Sequence, residues 1–208
     1  MTRSTPARPP VAPALSALLA LLALAASAGC STATEPAPRP SAVRTTAPAP
    51  TASASGTPTD AAWVQLMTPM NEKAVALLTL AADRATEPRV RAFATRLRGD
   101  QEAELGRLRP LLARMGLPGT DVHAGHAMPG VVTESDLAAA KAAEGAAFDR
   151  LFLTRIRDHL RHSAQVSRSE ITAGARADAK RLAAALVTAR EAALTELEAL
   201  PGATRALG

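Results

Sequence analysis

The sequence predicts an all-α domain, a four-helix bundle built from two similar helical hairpins. Three observations carry that reading. After Thr59 the chain is rich in Ala, Leu, Arg and Glu, all strong helix formers. Apolar residues there recur at three- and four-residue spacing along long stretches. The two halves also repeat at a constant offset of 89 residues, pairing Trp63 with Phe152, Phe93 with Leu182, Leu97 with Leu186, Leu105 with Leu194 and Leu108 with Leu197. One hairpin cannot bury its own apolar stripe, but two can bury each other's.

The first helix is expected from about Asp60 to Arg84, with Trp63, Leu66, Met67, Met70, Ala74, Leu77 and Ala81 on one face and a kink at Pro69. Thr86-Glu87-Pro88 reads as a cap and first turn. The second helix carries Val90, Phe93, Leu97, Leu108, Leu111 and Met115, bends at Pro110 and stops at Gly116. Residues 116–133 form a loop. Thr133 and Asp136 are a capping pair for a short helix ending near Gly145. The third long helix spans about Ala146 to Ala173 and aligns Phe148, Phe152, Ile156, His159, Ser163 and Val166. The fourth spans about Arg176 to Leu200 and aligns Leu182, Leu186, Leu197 and Leu200.

Ahead of this domain, assigned to 60–208, the chain is of another kind. Arg3 and Arg8 precede an apolar run from Val11 to Ala26, which is short for a membrane span but suits the core of a signal peptide, assigned to 1–29. The run ends in Ser27-Ala28-Gly29-Cys30, which resembles a bacterial lipobox. That resemblance implies cleavage before Cys30 and acylation of its thiol, and hence an extracytoplasmic chain anchored to the cell membrane. Residues 30–59 hold the lipidated Cys30 and a linker of Pro, Ala, Thr and Ser too poor in apolar residues to build a core.

Composition removes several function classes. Net charge is +5, but the first 59 residues carry four Arg against one acid, and in the domain Arg and Glu alternate. With four aromatic residues in all, the sequence offers neither a basic stripe nor stacking platforms, so no nucleic-acid partner is expected. A single cysteine supports no disulfide framework and no Cys-based metal site. No Ser/His/Asp order, phosphate loop or paired carboxylates at catalytic spacing is present, so the chain is read as a non-enzyme.

The apolar stripes have polar exceptions: Gln101 and Glu104 on the second helix, His159 on the third, Arg190 on the fourth. Inward Glu and His on facing helices are the material of di-metal sites. Glu104 and Arg190 could instead pair, with His159 hydrogen-bonded nearby, and the charge of Arg190 favours that arrangement. His162 falls toward the edge of the stripe and is read as solvated. The loop holds Val122-His123-Ala124-Gly125-His126-Ala127-Met128, where two imidazoles and a thioether suit copper better than magnesium or calcium.

The segment His126-Ala127-Met128-Pro129-Gly130-Val131-Val132-Thr133, then Leu137, then Gly145-Ala146-Ala147-Phe148-Asp149-Arg150-Leu151-Phe152-Leu153, resembles the family named domain of unknown function 305. The resemblance runs from about Asp60 to Leu200. It implies an exported, duplicated, ferritin-like four-helix bundle. The family usually places a His-His pair in the first helix of each half and a Gln-x-x-Glu in the next. Here Met70-Asn71 and His159-Leu160 stand at the paired histidines, Gln101 and Glu104 match the first acidic motif, and Arg190 and Ala193 stand at the second. The resemblance therefore implies a degenerate member that has lost most of any metal capacity. Phe148-Asp149 and Asp158-His159 also fit a related family of exported ferritin-like proteins; the Met-Pro-Gly loop favours the first.

The expected function is that of an exported, membrane-anchored lipoprotein with a non-catalytic helical domain. Such a domain would act as a residual transition-metal binder of copper type through His126, Met128, His159 and Glu104. The alternative is a metal-free protein–protein or envelope interaction module, whose partner the sequence does not name.

Overall fold

The computed structural model describes residues 56–207. The signal segment, Cys30 and most of the linker lie outside the described residues. Six helices are formed there: α1 (Pro58–Arg84), α2 (Pro88–Arg114), α3 (Glu134–Ala142), α4 (Gly145–Ala173), α5 (Ala177–Glu198) and α6 (Ala203–Leu207). The four long ones make two hairpins, α1 with α2 and α4 with α5, and the hairpins meet chiefly along α1 and α4. The repeat is visible in the helix bounds, since α2 begins at residue 88 and α5 at residue 177.

Local chemistry sets the helix ends. α1 starts two residues before the expected Asp60, because Thr57-Pro58-Thr59-Asp60 is a capping box with Pro at the first helical position. Thr133 and Asp136 cap α3 in the same reciprocal way. Glu87 caps α2, its carboxylate accepting from the Arg89 amide at 3.3 Å. Gly116, at φ +67°, follows the last turn of α2, as a helix stop requires. α1 and α2 run on through Pro69 and Pro110.

Two side chains tie the hairpins and the short helix together. Asp149 accepts the Thr86 and Glu87 amides at 2.9 and 3.2 Å, fixing the α1–α2 turn against the start of α4. Arg84 donates to the carbonyls of Ala140, Lys141 and Ala143 at the end of α3 and lies over the Phe148 ring. α6, which the sequence reading did not anticipate, packs on α4. Arg157 donates to the Leu207 carbonyl at 2.9 Å, and Ala203 is buried.

The core is two apolar clusters. One holds Phe93, Leu97, Phe148, Phe152, Ile156 and Leu197 at the α3 and α6 end. The other holds Trp63, Met67, Leu108, Leu111 and Leu186 at the opposite end. A polar layer lies between them.

Candidate functional site

Each long helix contributes to that layer at the point where its residues pass from one apolar cluster to the other. α1 supplies Asn71, α2 Gln101 and Glu104, α4 His159 and Ser163, and α5 Arg190, all buried. The guanidinium of Arg190 is the centre. It donates to both oxygens of Glu104 at 2.8 and 2.5 Å, to Ser163 Oγ at 3.0 Å and to Asn71 Oδ1 at 3.2 Å. Asn71 Nδ2 donates to the same Glu104 carboxylate at 2.9 Å. An ion pair this deep is stable only when its remaining donors and acceptors are met, and here four helices meet them.

His159 occupies the edge of the layer. Its Nε2 lies 3.1 Å from Gln101 Nε2, while Nδ1 has no hydrogen-bond partner among the described residues. Burial, and secondly the nearby Arg190 charge, push its pKa down to about 3; the backbone of Gly130 acts weakly the other way. The ring is therefore neutral.

The layer does not fit a metal cation. Its one carboxylate is engaged by Arg190 and Asn71, and the guanidinium already supplies the positive charge. Among the described residues no group of three or more His, Cys, Asp or Glu side chains is arranged to hold a metal ion. Glu104 and His159 thus fall in one buried layer, but the structure does not bring His126 and Met128 to them. His126 is exposed on the loop, and Met128 is half-buried in a cleft on the outside of α4.

That cleft, of about 360 Å³, is lined by residues 127–133 of the loop together with Asp136, Arg155, Asp158 and His162. His162, read from the sequence as solvated, is half-buried here, because Gly130 lays the loop across α4 close against His162 Cβ. Further up the loop, Asp121 pairs with Lys73 of α1 at 3.1 Å and accepts the His123 amide at 2.9 Å.

A second buried acidic group was not foreseen. Asp60 accepts from Thr57 N and Oγ1 at 2.6 and 2.5 Å through one oxygen, and from the Ala175 and Arg176 amides at 3.0 and 2.8 Å through the other. Burial alone would raise its pKa, but these bonds together hold it well below the usual carboxylate range. Glu170 lies beside it, buried, with both oxygens unpartnered among the described residues. Burial, and then the neighbouring Asp60, push its pKa up to about 8. The space for its carboxyl exists because residue 174 is glycine, where an added methyl group would lie 2.2 Å from Glu170 Oε1. Asn71 and Glu170 both continue the inward stripes of their helices, and that periodicity was the available signal.

The fold and the layer together define a class: a duplicated, ferritin-like helical bundle whose central polar layer is built on an internal ion pair. The chain belongs to the family described as Domain of unknown function (DUF305), whose sequence model matches residues 26–112 and 60–201. Two solved structures share its fold. A DUF305 fragment from Deinococcus radiodurans superposes with TM-score 0.62 at 21% identity, covering 69% of this chain and 95% of that one. A DUF305 protein from Streptomyces coelicolor, described as a candidate secreted protein, superposes with TM-score 0.61 at 20% identity, covering 68% and 90%. No curated protein matches the chain. No helix among the described residues is long and apolar enough to cross a membrane.

Proposed function

We propose that this protein is an exported lipoprotein, anchored to the cell membrane through Cys30, whose bundle is a non-catalytic module with residual copper-type metal binding at its loop. The observation that carries the reading is the Arg190 guanidinium at the centre of the polar layer. A cation fixed there by Glu104, Asn71 and Ser163 opposes a second cation and engages the one carboxylate of the layer. Metal affinity then falls to the loop residues His126 and Met128, whose imidazole and thioether are soft donors. Export is supported by the apolar segment before Cys30 and by the secreted description of the Streptomyces coelicolor relative.

The alternative, a metal-free interaction module, draws on a groove between α2 and α5. Pro110, Leu111 and Leu182 line it, Arg107 and Arg181 rim it, and Arg114 pairs there with Asp178 at 3.3 Å, leaving a surplus of arginine complementary to an acidic partner.

The two readings separate in a titration of the full chain with Cu(I), Cu(II) and Zn(II), followed by calorimetry and melting. Binding at about micromolar affinity or tighter, lost in Met128→Leu with His126→Ala and kept in Glu104→Gln, is the expected result. Binding that disappears with Glu104→Gln overturns the inert core. No binding at all leaves the interaction module.

A further inference from the structure

We infer that His162 and Met128 are the two donors of a site for a soft monovalent metal ion, Cu(I), in the cleft between the 127–133 loop and α4. The inference rests on the reading that metal binds outside the core; it keeps Met128, puts His162 in place of His126 as its partner, and fixes the oxidation state.

Four observations converge on the cleft. The first is that its two walls are held in register. Gly130 has φ +74°, and a methyl group there would lie 2.5 Å from His162 Cβ, 2.9 Å from the Asp158 carbonyl oxygen and 2.9 Å from Met70 Cε. Only glycine permits that approach, so Met128, two residues earlier, is fixed against the helix that carries His162.

The second is the orientation of the ring. His162 Nδ1 lies 2.9 Å from the Asp158 carbonyl oxygen. A carbonyl only accepts, so Nδ1 donates to it and Nε2 is the nitrogen left for a ligand. A metal-ligating histidine is oriented in this way, one ring nitrogen donating to a backbone carbonyl while the other binds.

The third is donor type. Met128 lines the same cleft and is half-buried. Thioether with imidazole selects Cu(I) over Zn(II), Mg(II) or Ca(II).

The fourth is charge. Arg155 is paired with Asp136 at 2.9 Å, and Asp158 lies 3.9 Å from Arg157, so the charges along the cleft are balanced by their neighbours. A cleft of balanced charge does not oppose a monovalent cation, whereas the Arg190 layer repels one.

The experiment uses the full chain and its Met128→Leu and His162→Phe variants. Each is titrated anaerobically with Cu(I) against a chromogenic chelator, and with Ag(I) as a redox-inert probe. Both side chains are only half-buried, so metal-free melting temperatures should stay close to wild type. Each variant should bind at least about tenfold more weakly than wild type, the size of effect that ligand-supporting groups alone produce. X-ray absorption of the Cu(I) complex should report sulfur and nitrogen together. Affinity retained within about twofold in both variants, with wild type still binding, overturns the His162–Met128 assignment and leaves the broader reading standing. A wild-type chain that binds neither ion overturns both.

Discussion

At the residue scale the protein turns on Arg190. Breaking a buried ion pair from one side strands the other charge and costs about 3–5 kcal/mol, whereas removing both partners is far milder. Arg190→Met should therefore lower unfolding free energy by that amount, because Glu104 keeps only Asn71. Adding Glu104→Met should recover a large part of the loss, measured by urea denaturation of both variants. Single losses that simply add would show that the two groups are energetically independent. Both residues were legible in the sequence as interruptions of apolar stripes on different helices, but their pairing was only one of two arrangements open to them, the other giving Glu104 to a metal. Asn71 and Ser163 were harder to read. Periodicity places a residue on a face, but the relative rotation of the helices decides which short polar side chains reach a guanidinium. His162 was misplaced for a related reason, because the stripe does not record that a glycine lets a loop lie on the helix edge.

At the scale of elements, helix ends do more than end helices. The Thr57 cap holds one end of α1, and its loss should cost about 1 kcal/mol, the usual value for such a cap. Asp60 does this and also accepts two amides from the α4–α5 turn, so it joins the start of one hairpin to the turn of the other. Each hydrogen bond to a charged group contributes roughly 1.5–3 kcal/mol. Asp60→Ala should therefore destabilise the chain severalfold more than Thr57→Ala in matched chemical denaturation curves. Equal losses would mean that the turn contacts contribute nothing. The capping box was present in the sequence as Thr57-Pro58-Thr59-Asp60, but Pro58 read as the last proline of the linker. Helix lengths, the Gly116 stop and the offset of 89 residues were legible because they depend on local propensity and on a repeat. α6 was not, because five residues after Leu200-Pro201-Gly202 have too short a pattern to register and are held by contacts with α4.

At the scale of the whole molecule, two buried titrating groups give stability a bounded pH optimum. His159 has its pKa lowered from 6.5 to about 3, so its contribution is full above pH 6.5 and is lost as pH falls toward 3. Glu170 has its pKa raised from 4.5 to about 8, so its contribution is full below pH 4.5 and is lost as pH rises toward 8. One proton of difference between folded and unfolded chains changes stability by about 1.4 kcal/mol per pH unit. Between pH 4.5 and 6.5 the two slopes are opposite and offset each other, giving a plateau. Below it His159 dominates, and Asp60, whose pKa is held low, steepens the fall once pH drops beneath its ordinary value of 3.8. Above the plateau Glu170 dominates and removes roughly 2 kcal/mol by pH 8. The two ends of the curve therefore belong to different residues and move in opposite directions when each is replaced. Glu170→Gln should abolish the alkaline fall and shift the optimum above pH 6.5, while His159→Gln should extend the alkaline slope down to pH 4.5 and shift the optimum below it. Melting temperatures of the three proteins from pH 3 to 9 decide the matter, and a Glu170→Gln chain that still loses stability between pH 6.5 and 8 would assign the alkaline limb to another group.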